Sequence, residues 1–190
     1  MKVEAAFVTS VATARDWPRQ PLPEVALIGR SNVGKSTLIN ALLRQRLART
    51  SGAPGKTRLA NVYRVVRAGR PFYLVDLPGF GFARGKREEL AAVTREYFGR
   101  IGRDGAALLL IDARHPGLDS DRQAWAWLDS SGVTAALVAT KIDKLSRSER
   151  QRAIKTNEAV FEHSVLPVSA VTGEGLDELW KLIDQLMKSA

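Results

Sequence analysis

The sequence predicts an α/β fold, a doubly wound three-layer sandwich around a mostly parallel six-stranded sheet with one antiparallel edge strand. Three observations lead there. Short apolar runs of strand length alternate with stretches of helical apolar spacing from residue 25 to residue 188. Two of the strand-like runs, 61–67 and 72–77, are separated by little more than Ala68-Gly69-Arg70, which is hairpin spacing and gives the one antiparallel pair. The first run, Val25 to Ile28, feeds a glycine turn and then a helix, the opening βα unit of a parallel sheet whose later units return by right-handed crossovers.

Residues 1–22 carry the weakest pattern. Their Phe7-Val8 segment suits either a local strand or surface packing, so they read as an N-terminal extension on one domain spanning 23–190. The strand near 25–29 is aliphatic throughout, as burial on both faces requires. The amphipathic stretch Thr37 to Leu43 gives a helix near 35–45. No periodicity survives between Leu47 and Ala60, where Ser51-Gly52-Ala53-Pro54-Gly55-Lys56-Thr57 is loop chemistry. Helices near 88–101, 119–131 and 147–161 then alternate with strands near 106–112, 134–140 and 164–169. Asp119 and Asp121 read as acids that open a helix and favour its dipole. Trp125 and Trp127 lie two apart on that helix and face different directions, one toward the core and one over the surface. The last helix, near 176–188, sets Leu176, Leu179, Trp180, Ile183, Leu186 and Met187 at helical spacing and so packs one face on the sheet.

At 190 residues, with 45% hydrophobic and 26% charged side chains, the chain is long enough for a sizeable core and ordinary for one globular domain. The longest aliphatic runs, such as Ala106 to Ile111, reach about six residues, far short of the roughly 18 that a membrane span needs. The N-terminus has no signal-peptide core and the chain has no cysteine, so the cytoplasm is the expected compartment and no membrane partner is expected. His115 and His163 lack companions at metal-ligand spacing.

The chemistry is concentrated in a few motifs. Gly29-Arg30-Ser31-Asn32-Val33-Gly34-Lys35-Ser36 spells G-x-x-x-x-G-K-S between a strand and a helix, and Thr37 follows. Glycines there let backbone N–H groups close around two phosphates at the positive end of the helix dipole. Lys35 reaches the β- and γ-phosphates and the Ser36 hydroxyl ligates Mg²⁺. Thr140-Lys141-Ile142-Asp143 ends a later strand, about 105 residues downstream. A carboxylate at Asp143 accepts from the N1–H and amino group of guanine, a pair adenine does not offer, while the Lys141 stem lies along the base. That argues against an ATP-using P-loop kinase. Asp76-Leu77-Pro78-Gly79 places a carboxylate at a strand end to hold Mg²⁺ through water, and Gly79 offers an N–H to the γ-phosphate. Thr57 closes over the metal when a γ-phosphate is present. Val168-Ser169-Ala170 ends the last strand, and its S-A pair suits a backbone contact to guanine O6.

Together G-R-S-N-V-G-K-S-T-L-I-N, P-G-K-T, L-V-D-L-P-G-F-G-F-A, D-A-R-H-P-G-L and T-K-I-D-K-L resemble the translation-factor-like P-loop GTPases, and within them the EngB (YihA) family of bacterial ribosome-biogenesis GTPases, from Pro23 to Leu186. Lys56 stands where relatives often carry arginine, and S-A replaces a common S-S. The resemblance implies a P-loop GTPase fold, GTP and GDP as ligands, and a contribution of Gly55, Lys56 and Thr57 to the nucleotide site. Lys35, Thr57 and Gly79 are its catalytic candidates, and Ser36, Thr57 and Asp76 its metal candidates. It also implies K⁺ at Asn32, which matches an asparagine that ligates potassium in several related GTPases; an asparagine that merely caps the loop is the alternative. Where many signalling GTPases hold a water-orienting glutamine this chain has Phe80, which cannot hydrogen-bond water, so intrinsic hydrolysis is expected to be slow.

Charge points to the partner. Residues 1–103 hold 19 Lys or Arg against 7 Asp or Glu, while residues 104–190 hold 10 against 13. The basic half contains both segments placed to respond to a γ-phosphate, the loop 51–57 and the D-L-P-G segment 76–79, the two switch regions, with Arg44, Arg46, Arg49, Lys56, Arg58, Arg84, Lys86 and Arg87 among its cations. A monomer acting as a GTP-driven switch on the large ribosomal subunit or its rRNA, through phosphate contacts, is the expectation. The alternative is a regulatory or scaffolding GTPase in cell division with a protein partner.

Overall fold

The computed structural model describes residues 2–48, 59–80, 87–101 and 105–189. Strand β2 (Glu24–Gly29) sits at the centre, parallel to β4 (Arg70–Asp76) on one side and to β5 (Gly105–Asp112) on the other. Beyond β5 lie β6 (Thr134–Thr140) and β7 (Val165–Pro167), both parallel. The chain winds first to one side of β2 and then to the other, so its carboxyl end is the topological switch point where ligands bind in such sheets.

Strand β3 (Ala60–Arg67) pairs antiparallel with β4 through a two-residue turn, and Ala68 and Gly69 have φ of 52° and 75°. Two positive φ values in sequence are what a tight hairpin turn matched to strand twist requires. The sheet has seven strands rather than six, in the order β1-β3-β4-β2-β5-β6-β7, because β1 (Val3–Val11) adds antiparallel to β3. The antiparallel strand of the hairpin therefore lies one in from the edge, and β1 takes the edge. Its register breaks between Phe7 and Thr9, and Phe7 and Val8 stay exposed. A bulge and a solvated face interrupt the alternation that marks a strand in sequence.

Alternate residues of the central strands serve opposite faces. Val25, Leu27, Leu108 and Leu110 pack under α1 (Lys35–Leu43) and α5 (Leu176–Ser189), against Leu38, Ile39, Leu42, Leu179, Trp180 and Ile183. Ala26, Ile28, Leu109 and Ile111 pack under α2 (Arg87–Ile101), α3 (Asp119–Ser130) and α4 (Arg147–Phe161), against Tyr97, Phe98, Leu128 and Phe161. This two-sided burial explains the unbroken apolar runs. The two tryptophans of α3 do face different ways, but both are half-buried. Trp127 meets Phe98 edge-on at 5.4 Å between ring centroids, and Trp125 meets Phe161 at 6.5 Å and His163 at 4.9 Å. Among the described residues no helix is long and apolar enough to cross a membrane.

Candidate functional site

The loop after β2 is shaped by close approach. A Cβ on Gly29 would come within 2.8 Å of the Leu110 carbonyl oxygen and 2.9 Å of Val33 Cγ1, so only glycine fits there. Asn32 and Gly34 both take positive φ, 64° and 109°, and Gly34 caps α1. Lys35 folds back over the loop and donates from Nζ to the Gly29 carbonyl at 3.2 Å. It is buried, and burial lowers its pKa while the nearby Asp76 charge opposes that shift. Val33 is buried beneath the loop; Arg30 and Ser31 are half-buried, and Thr37 is exposed.

The segment after β4 runs alongside. Leu77 N–H donates to the Leu27 carbonyl at 3.2 Å, Phe80 N–H to the Gly29 carbonyl at 3.3 Å, and Ser31 N–H to the Phe80 carbonyl at 3.0 Å. Asp76-Leu77-Pro78-Gly79 is thereby held against the glycine loop, and a Cβ on Gly79 would lie 2.9 Å from Ser31 N and Cα. Ser36 Oγ donates to Asp76 Oδ2 at 3.3 Å, while Asp76 Oδ1 is buried with no hydrogen-bond partner. Burial raises the Asp76 pKa, and the Lys35 charge and the Ser36 hydroxyl offset part of it. An orphaned carboxylate oxygen beside a hydroxyl is a donor set that suits a hard cation such as Mg²⁺, which takes one or two protein oxygens and completes its shell with phosphate and water.

The other side of the site comes from the ends of β6 and β7. Thr140 Oγ1 lies 2.7 Å from the Val33 carbonyl and 3.1 Å from that of Ile111, tying the end of β6 to the glycine loop. Lys141, at φ 61°, extends across that loop: its Nζ donates to the Asn32 carbonyl at 2.5 Å and to Asp112 Oδ2 at 2.9 Å. Its Cε lies 3.8 Å from where a Cβ on Gly34 would stand. Asp143 Oδ1 accepts from Ser169 Oγ at 2.7 Å, and that hydroxyl oxygen accepts from the Val171 and Thr172 amides at 3.2 and 3.1 Å. Burial pushes the Asp143 carboxyl up, but the Ser169 hydroxyl leads a set of hydrogen bonds that leave it below its ordinary value. Ile142 and Val168 are fully buried and Ala170 half-buried, so T-K-I-D and S-A form one unit.

The fold thus gathers the 29–37, 76–79, 140–143 and 168–170 segments at the carboxyl ends of β2, β4, β6 and β7. Gly55, Lys56 and Thr57 lie outside the described residues, as do Arg49, Arg58, Arg84, Lys86 and the Arg87 side chain.

The burial of two carboxylates was not foreseen from sequence. Asp112 ends β5 opposite Thr140 and is buried. Burial works against its charge, yet donors from Arg114 and Lys141 outweigh it and hold the pKa at about 2. A lone acid closing a run of aliphatic residues was the signal available. Asp119 and Asp121 do stand in the first turn of α3, as expected, but their surroundings differ. Asp119 is exposed and pairs with Arg122 at 3.4 Å, whereas Asp121 is 1% exposed with Oδ1 unpartnered. Burial lifts the Asp121 pKa to about 6, with Arg30 lowering it and Asp112 adding to it.

A strand-to-helix phosphate loop, a D-x-x-G strand end and a T-K-x-D loop joined to S-A define a guanine-nucleotide hydrolase of the P-loop class. Residues 24–141 match the family described as 50S ribosome-binding GTPase. The chain is 39% identical to the probable GTP-binding protein EngB of Thermotoga maritima, over 97% of each chain. A crystal structure of a probable GTP-binding protein engB superposes with a TM-score of 0.69 at 22% identity, covering 88% of this chain and 99% of that one. Era in complex with MgGDPNP and nucleotides 1506–1542 of 16S ribosomal RNA superposes with a TM-score of 0.73 at 24% identity, covering 88% of this chain and 56% of that one. The chain belongs to the EngB family of GTP-binding proteins, and its activity is the hydrolysis of GTP to GDP and phosphate.

Proposed function

We propose that this GTPase is a nucleotide-driven switch acting in large ribosomal subunit assembly, and thereby in normal growth and division. The observation that carries the reading is the match of residues 24–141 to a family described as 50S ribosome-binding GTPases. The cationic first half and the rRNA complex of the structurally similar Era support it. The protein works as a cytoplasmic monomer, with residues 1–22 an extension of one GTP-binding domain spanning 23–190.

The site residues divide the work by position. Amides of 30–37 surround the β- and α-phosphates at the start of α1, and Lys35 places its ammonium against the β- and γ-phosphates once it leaves the Gly29 carbonyl. The γ-phosphate draws the Gly79 N–H, and Thr57 with Gly55 and Lys56 closes from the other side. Asp143 reads the guanine edge, Lys141 packs along the base and Ser169-Ala170 supports O6. Ser36, Thr57 and Asp76 hold Mg²⁺, directly or through water, and the ion when bound neutralises charge on the phosphate oxygens. Phe80 packs against the core rather than offering a polar group to water, so the intrinsic rate is low. Asn32 is exposed and in the left-handed conformation that asparagine tolerates, which suits either a K⁺ ligand or a simple turn residue. Hydrolysis faster in K⁺ than in Na⁺, with the difference erased in Asn32→Ala, establishes the ion; equal rates remove it.

Depletion of the protein from its bacterium tests the cellular role. Immature large-subunit particles should accumulate before division fails. Normal subunit profiles alongside blocked septation would point instead to a protein partner in division.

A further inference from the structure

We infer that Asp112 is a positioning residue for nucleotide binding, holding the Lys141 ammonium across the phosphate loop so that its stem is already laid out for the guanine base. The inference rests on the reading of 140–143 as the base-recognition segment. Asp112 stands at the last position of β5, beside Thr140 in β6, where the sheet delivers it directly behind Lys141. Its carboxylate receives four donors: Arg114 N at 3.1 Å and Nε at 3.0 Å on Oδ1, Arg114 Nη2 at 2.8 Å and Lys141 Nζ at 2.9 Å on Oδ2. A lysine ammonium has three N–H donors, and with one on Asp112 and one on the Asn32 carbonyl the side chain is fixed at its far end. A long flexible side chain otherwise gives up its rotamer freedom when a ligand orders it, so fixing it beforehand strengthens binding. The left-handed backbone of Lys141 adds a conformation that the surroundings must hold.

A purely structural role is the competing account. Through Arg114, Asp112 also closes the turn after β5, and that duty alone would make it indispensable for folding but not for Lys141.

A thermodynamic cycle separates them, with GDP, GTP and ITP as the probes and Asp112→Asn, Lys141→Met and the double variant as the proteins. Asp112→Asn keeps a carbonyl oxygen for the Arg114 amide but removes the charge. It should weaken all three nucleotides about tenfold, raising KM with kcat little changed, because the interaction is the same in ground and transition states. GTP and ITP should lose equally, since the base face rather than the exocyclic amino group is involved. In the Lys141→Met background the same substitution should cost no more than about twofold, since coupled residues are non-additive. If Asp112→Asn does not purify folded, Asp112→Glu enters the cycle and the same non-additivity is expected. The inference is overturned if Asp112→Asn binds GDP like the natural chain, or if its full loss persists in Lys141→Met. Failure of the underlying reading looks different: the natural chain would then bind ATP as well as GTP, and Asp143→Asn would change nothing.

Discussion

Asp143 is the side chain on which the proposed guanine specificity rests. Its carboxylate is braced by the Ser169 hydroxyl and held below its ordinary pKa, so in the proposed reading it presents acceptors to the guanine edge. Asp143→Asn reverses that polarity and should weaken GTP while improving xanthosine triphosphate, measured by competition; unchanged selectivity would contradict the assignment. Asp121 offers a pH-dependent test. Its carboxyl titrates at about 6 in the folded protein against an ordinary 3.8, so between those values the native state binds more protons than the unfolded one. Stability falls as pH rises through that window, and the cost is fully present above it. Asp121→Asn should therefore raise stability by about 1–3 kcal/mol at pH 8 and leave it nearly unchanged below pH 4. Urea unfolding at the two pH values checks this, and an equal effect at both would exclude Asp121 as the source. The place of the glycine loop between β2 and α1 was legible because its glycines and flanking apolar runs mark a strand-turn-helix unit. The burial of Asp112 and Asp121 was not, since an acid at a strand end or in a first helical turn is ordinary until the fold buries it.

At the scale of elements, every strand and α-helix among the described residues from 24 onward was legible within a few residues, because the two-sided sheet imposes long aliphatic runs and the helices one apolar stripe. Strand β1 was legible only as one of two readings of the Phe7-Val8 segment, since an edge strand with a bulge shows neither pattern. Just after it, Trp17 packs on Tyr97 at 5.1 Å and beneath the Arg100 guanidinium at 4.3 Å, and Arg100 bonds Glu24 at 2.6 Å. The N-terminal segment is thus fastened to the end of α2 and the start of β2. Trp17→Ala should cost about 2–4 kcal/mol of stability by denaturant unfolding. A loss below about 0.5 kcal/mol, the range of ordinary surface changes, would mean the segment is not part of the folding unit.

For the whole molecule, the uneven charge sets a long-range field that the nucleotide site alone does not need. Arg44 and Arg46 are exposed just after α1, on the way to the first switch. Replacing both by glutamine should weaken binding to ribosomal particles with GTP affinity unchanged. The salt dependence should also fall, by about one unit of log-log slope for each phosphate no longer neutralised. A drop in GTP affinity equal to the drop in particle binding would place these arginines in the nucleotide site instead. Sedimentation of the protein with purified large ribosomal subunits, in a GTP analogue and in GDP, tests the central claim most directly. The account predicts at least several-fold tighter binding in the GTP analogue, about 1–3 kcal/mol of coupling, falling steeply as salt is raised. Binding that is absent, or the same in both nucleotides and insensitive to salt, would contradict it.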